Sequence, residues 1–188
     1  MYICTPNQRQ TMNNNYTEHV KHIITISQQE AMRLHNRVLK PEHFMLGILR
    51  DGKGKAIEVL RNRGVDLESL RSNLEWQLTK DDAIEECATE TQSGFKEKAS
   101  DITRESDRAL KLSQLEARMM RQPSIDTEHL VLAMLKNEKS SFSLIMQQYK
   151  VDYQSFHDTL MQIEGLTTSN NDNTSRLREE ESDMEGDD

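Results

Sequence analysis

The sequence predicts an all-α bundle made of two pseudo-twofold-related four-helix repeats, eight helices in all, and three observations carry that expectation. Turn-formers are sparse, with 7 glycines and 3 prolines in 188 residues, and blocks of β-branched residues are few. Apolar residues recur at steps of three and four between recognisable caps. The stretch "KPEHFMLGILRDGKGKA" from Lys40 is answered by "DTEHLVLAMLKNEKSSF" from Asp126, 86 residues later.

The elements follow in order. Thr17 is a suitable N-cap, with Glu18 in the first turn where the helix dipole favours an acid. Val20, Ile23, Ile24, Ser27, Ala31 and Leu34 then mark one face of a first helix. Ser27 within that stripe predicts close approach by a neighbouring element. Pro41 begins a second helix at the position where its missing N–H costs nothing. Phe44, Met45, Leu46, Ile48 and Leu49 make this helix apolar nearly all round, so it is expected at the centre of the bundle. "DGKG" ends it. Ala56, Ile57, Val59 and Leu60 form a short third helix, stopped by Gly64 in the role of a C′ residue. Asp66 caps a fourth, with Leu67, Leu70, Leu74 and Leu78 along one face.

Residues 79–101 are polar and weakly periodic, and read as a linker with about one helical turn. From Ile102 the pattern restarts, and the two copies align without a gap from Tyr16/Ile102 to Gln77/Ile163. Thr17 matches Thr103, Ser27 matches Ser113 and Glu30 matches Glu116; Glu42-His43 matches Glu128-His129, and Asp66 matches Asp152. Both caps and the small stripe residue coincide, which marks a tandem duplication. The expected organisation is an aperiodic polar arm over 1–15, a first repeat over 16–78, the linker over 79–101, a second repeat over 102–163 and an acidic tail over 164–188. Met12 is a candidate natural start, because the organised sequence begins just after it.

The net charge of −8 is concentrated at one end. The last ten residues, "EEESDMEGDD", hold seven acids and no base, and the rest of the chain is near neutral. No clustered basic face points to nucleic acid, and no apolar run reaches the roughly 18 residues of a membrane span. The start lacks the apolar core of a secretion signal, which makes the cytoplasm the default compartment. Cys4 and Cys87 lie far apart in no metal spacing and read as unpaired thiols.

Thr, long helix, "[PT]EH..L[GA][IM]L" and charged turn, stated twice, with "EAMRL" and "VLRNRGVD" in the first unit and "EARMM" and "IMQQYKVD" in the second, resemble the Clp amino-terminal repeat domain that stands before the AAA+ motors of Clp unfoldases. "QEAMRLHNRVLKPEHFMLGILRDGKGKAIEVLRNRGVD" is most similar to the ClpC branch. The resemblance covers residues 16–163 and is weaker in the second unit, where Lys150 stands in the place of Gly64 and Arg121-Gln122-Pro123 replaces a Leu-Gly-His-like turn. It implies a module that recruits client proteins and adaptor proteins, tethered to an AAA+ ring on the same polypeptide that hands clients to a Clp protease. The chain itself carries no GxxxxGK[ST] motif and no cofactor, so ATP and Mg would belong to the motor of a longer parent. The alternative is a stand-alone double-repeat accessory protein that regulates Clp protease assembly. No nucleic acid and no membrane enter either reading.

Thr17 with Glu42, and Thr103 with Glu128, match the positions that ClpC-type relatives use for phosphorylated arginine on clients. A carboxylate beside helix N–H groups suits a guanidinium carrying an anion. The plainer role, a first-turn carboxylate set against the helix dipole, stands beside it. Pro41 replaces the Thr usual before the Glu in that branch; Thr127 keeps it in the second repeat. His43 and His129 lie within apolar helices and are expected to be packed and hydrogen-bonded; no HExxH is present. His19 and His22 are expected on an exposed helix face. Met119, Met120, Met134 and Met146 are expected mainly as core gap-fillers. No Glu-x-x-His pair on two helices supports a metal-binding bundle enzyme, and no nucleophile elbow supports a hydrolase.

Overall fold

Thr17 caps the first helix as its sequence predicts, its Oγ1 accepting from Val20 N at 3.2 Å. The computed structural model describes residues 15–86 and 101–165, and eight helices run through them. In the first repeat these are α1 (Glu18–Arg33), α2 (Pro41–Asp51), α3 (Lys55–Asn62) and α4 (Leu67–Glu86). In the second they are α5 (Arg104–Met119), α6 (Thr127–Leu135), α7 (Ser141–Gln148) and α8 (153–165). The arm before Asn15, both cysteines, Met12, residues 87–100 and the tail beyond 165 lie outside the described residues.

The all-α expectation holds, with one small addition. β1 (Val38–Leu39) pairs in parallel with β2 (Asp101–Ile102). Helix α4 runs to Glu86, well into the segment read as linker. Its last turns contain no glycine or proline, and Lys, Ala and Glu supply propensity in place of an apolar stripe. Helix α8 likewise continues past Ile163 to 165.

The core follows the repeat. Pro41 to Ile48 of α2 and every residue of α6 are buried, as helices apolar all round require. Phe44, Phe142 and Phe156 are its largest fully enclosed side chains. Ser27 serves the close approach its place in the stripe implied. Its Oγ donates to Ile23 O at 2.8 Å, and a Cβ added to Gly47 of α2 would stand 2.3 Å from that oxygen. In the second repeat Ser113 and Ala133 are buried at the matching positions.

Three non-glycine residues take positive φ: His35 (59°), Arg121 (56°) and Lys150 (58°). Arg121 is the repeat-mate of His35, and Lys150 is the mate of Gly64 (71°), so the fold demands left-handed backbone at these helix ends whatever residue is present. Met134 and Met146 fill the core as expected and Met120 is half-buried, but Met119 is exposed on α5. No helix among the described residues is long and apolar enough to cross a membrane.

Candidate functional site

The repeated Glu-His is first a capping device. Lys40 N donates to His43 Nδ1 at 2.9 Å, and Asp126 N donates to His129 Nδ1 at 3.0 Å. Each histidine, three residues into its helix, does what a Glu or Gln does in a capping box. A ring whose Nδ1 accepts carries its proton on Nε2. His43 Nε2 meets Asn36 Oδ1 at 2.7 Å, so both of its nitrogens are used. Burial, with Lys40 adding to it, lowers this histidine to about 4. His129 is also lowered, by burial first, but its Nε2 has no hydrogen-bond partner among the described residues. Gln122, the mate of Asn36, donates instead to Glu164 Oε1 at 3.3 Å.

The four sequence-predicted site residues come together across the repeats. Thr17 N donates to Ile125 O at 3.0 Å, just before α6, while Thr103 N donates to Leu39 O at 3.1 Å, just before α2. A bridge between Tyr16 and Ile125 mirrors the pairing of Ile102 with Leu39. The expected pairing of Thr17 with Glu42 and Thr103 with Glu128 concerns a bound ligand, and these backbone bonds set each threonine beside the start of the other repeat's buried helix. Thr17 borders the helix start that carries Glu128, and Thr103 borders the one that carries Glu42. The cause is exchange of the leading segments: the backbone entering each buried helix finds its partner in the other repeat. Both hydroxyls act as N-caps, Thr103 Oγ1 accepting from Ser106 N at 3.1 Å.

The two carboxylates are 1% and 3% exposed, and each meets the first residue of the other repeat's third helix. Ser141 Oγ donates to Glu42 Oε1. At the matching place Lys55 Nζ lies 3.7 Å from Glu128 Oε1 and 2.6 Å from Glu164 Oε1. Burial raises the Glu128 carboxyl, and the charge of Asp126 adds to the rise, against the lowering effects of Lys55 and a hydrogen bond from Thr127. Burial would lower Lys55, but Glu164 and Glu128 outweigh it and raise it.

His19 is not a free surface histidine. Its Nε2 lies 2.9 Å from Asp51 Oδ2 and its Nδ1 3.3 Å from Asp126 Oδ1, so it bridges the end of α2 to the cap of α6. Burial alone would lower it, but the hydrogen bond to Asp51 and the charges of Asp126 and Asp51 raise it. His22 is exposed, and no cluster able to hold a metal exists among the described residues.

Glu30 and Glu116 are repeat-mates for which the sequence alone suggests no role. Both are buried, and each anchors the far end of its repeat's central helix. Arg50 Nη1 reaches Glu30 Oε1 at 2.7 Å, and Lys136 Nζ reaches Glu116 Oε1 at 2.6 Å. Their conservation across the duplication was the available signal. Also missed were Lys55 and Ser141, whose mismatch hid in a charged turn.

A groove of about 310 Å³ opens beside the start of α2. Pro41, Ala109, Leu112, Ala133 and Met134 line it, with Arg104, Arg108 and Lys136 contributing charge. Pro41 belongs to the first repeat and the others to the second, so the opening lies between the repeats, next to the residues that hold Glu42.

The comparisons with known proteins agree with this architecture. A Clp ATP-binding subunit of Chlamydia pneumoniae, described as probable, is 28% identical over 137 residues, which is 73% of this chain and 15% of that protein. The chloroplastic chaperone protein ClpC of Pisum sativum is 28% identical over 137 residues, 73% of this chain and 14% of its own length. The chain thus spans less than a fifth of the curated relatives it matches. Among solved structures, the N-terminal domain of Hsp104 from Candida albicans superposes with a TM-score of 0.62 at 12% identity, covering 81% of this chain and 93% of that one. The N-domain of ClpV from Vibrio cholerae gives 0.59 at 13% identity, covering 78% and 86%. The family model described as the Clp repeat (R) N-terminal domain matches twice, over residues 15–99 and 101–181, and the chain belongs to that family.

Proposed function

We propose that the chain recruits client and adaptor proteins for an ATP-dependent Clp unfoldase, holding them at the inter-repeat groove and the starts of the two buried helices. The observation that carries this reading is the placement of an apolar, cation-edged groove between the repeats, beside the start of a buried helix. An apolar floor takes a side chain from an unfolded segment, and the charged edge takes its polar neighbours. The groove is small and shallow enough that binding is weak and transient, which suits a module that must release its client to a motor. The AAA+ ring and the Clp protease enter as partners of the longer proteins that the relatives represent.

Within this reading Thr17, Glu42, Thr103 and Glu128 form two half-sites for a client guanidinium that carries an anion, as in phosphoarginine. Ser141 Oγ meets Glu42, and the ammonium of Lys55 lies near Glu128, so a guanidinium arriving at either carboxylate rearranges the first residue of the other repeat's third helix. Calorimetric titration of phosphoarginine and of plain arginine tests this. Binding of phosphoarginine that falls roughly tenfold or more in Glu42→Ala and in Glu128→Ala is the expected result. No heat with either ligand, and no association with an unfolded client at tens of micromolar, roughly midway between nM and mM affinities, overturns the proposal.

A further inference from the structure

The groove and the acidic end of the chain complement one another in charge and in shape. Arg104 and Arg108 stand one turn apart at the start of α5, both exposed, and neither makes an ion pair among the described residues. Lys136 is occupied by Glu116, and Glu105 is the one acid on the groove's lining. Two guanidinium groups therefore flank an apolar floor of Ala109, Leu112 and Met134. The repeat does not require them, because Glu18 and His22 occupy the matching positions in the first repeat.

Residues 179–188, "EEESDMEGDD", offer the counterpart: seven carboxylates around a single apolar residue, Met184. Carboxylates suit the guanidinium fork, and an unbranched thioether suits a shallow apolar floor. Reach is no obstacle. The 14 steps of chain from Gly165 to Glu179 span roughly 45–50 Å when extended, against a radius of gyration of about 15 Å for a bundle of this size. A tether of that length sets an effective concentration on the order of mM, so a weak intrinsic affinity is enough for substantial occupancy.

We propose that the groove is the docking site of the chain's own acidic segment, residues 179–188, with Met184 on the apolar floor and its flanking carboxylates on Arg104 and Arg108. The docking itself stands apart from the client reading; its consequence, a tethered competitor that a client must displace, rests on that reading.

The test is a comparison of backbone amide spectra of the full chain with a variant in which the seven acids of 179–188 are replaced by Gln and Asn. Shift differences are expected at Arg104–Leu112 and Ala133–Asn137. The same amides are expected to move in the unmodified chain as salt rises to about 1 M, where screening reaches about 3 Å, and to stay put in the variant. A synthetic peptide of residues 179–188, added to the neutralised variant, is expected to restore the original positions. Its affinity is expected to fall roughly tenfold in the Arg104→Ser/Arg108→Ser background, the loss of charge-assisted pairs. These two residues are exposed, so the substitutions leave the core intact. Unmoved amides, shifts spread over other basic surfaces, or a peptide affinity indifferent to Arg104 and Arg108 would overturn the proposal. No client is present in this experiment, so its outcome is independent of the client reading; a separate titration of an unfolded client, equally tight in the unmodified chain and the neutralised variant although docking is observed, refutes only the client reading of the groove.

Discussion

The two repeats share a fold, a register and even their sites of left-handed backbone, yet they solve the same local problems with different chemistry. In the first, α1 and α2 cross at a serine against a glycine; in the second, α5 and α6 carry a serine and an alanine at the matching places. His43 has a partner on each ring nitrogen, while His129 has one. Glu42 faces a hydroxyl and Glu128 an ammonium. The face that is acidic and histidine-bearing in the first repeat, with Glu18 and His22, carries Arg104 and Arg108 in the second. Duplication fixed the backbone, and divergence then acted on side chains that the backbone does not need.

The sharpest way to break the comparison is at the helix crossings. Gly47→Ala places a methyl 2.3 Å from Ser27 Oγ and 3.0 Å from Ile23 O, and is expected to cost about 2–3 kcal/mol by overpacking. The mirror change Ala133→Gly is expected to cost only about 1 kcal/mol, mainly through backbone entropy. Denaturant melts of both variants check the pair; equal losses would show that the two crossings are equally tight.

The histidines come next. His43→Ala removes a cap and a buried hydrogen bond and is expected to cost about 2 kcal/mol, more than His129→Ala, which gives up one bond. The pH dependence follows from the lowered His43 value of about 4. The unfolded chain takes up this proton near pH 6.5 and the folded chain does so only near 4, so the stabilisation is whole above 6.5 and is lost as pH falls through that interval. On this basis His43 contributes up to about 3 kcal/mol of acid sensitivity. Stability curves at several pH values should flatten across that window in His43→Gln, which keeps an acceptor for the cap.

A smaller difference separates the buried acids. Glu30 holds two arginines; Glu116 holds Lys136 and, at 2.9 Å, the hydroxyl of Tyr153. Each →Gln change is expected to cost about 1 kcal/mol, because the cationic heads are partly exposed and return readily to water. Only Glu116→Gln is expected to alter a tyrosine titration. Burial, aided by Glu116, pushes Tyr153 up to about 12, and removing that charge brings it down. The smallest pair lies at the helix ends. Gly64→Ala is expected to lose about 1 kcal/mol and Lys150→Gly to gain about 0.5 kcal/mol, both measured by thermal unfolding.

The fold was legible because its signals are local and stated twice: Thr17 and Thr103 as caps, the apolar α2 and α6, and Ser27 as the mark of a close crossing. The end of α4 was not, since its last turns depend on propensity in a polar stretch that reads equally well as linker. Of the candidate site, the sequence offers Glu42 and Glu128 by their matched positions, but the exchange of leading segments that sets Thr17 beside α6 and Thr103 beside α2 is a tertiary fact. Lys55 and Arg104 carried no signal beyond their charge, because only the folded chain shows what that charge faces.

That exchange has a consequence for history and for engineering. Thr17 to Ile125 and Thr103 to Leu39 are equivalent bonds related by the pseudo-twofold axis, as are the contacts of Ser141 with Glu42 and Lys55 with Glu128. A pair of identical single repeats, arranged around that axis, would make every one of them. The molecule is in this sense a homodimer written on one chain. Fusion freed each half from having to recognise its own copy, and that freedom is what allowed Arg104 and Arg108 to stand where the first repeat has Glu18 and His22.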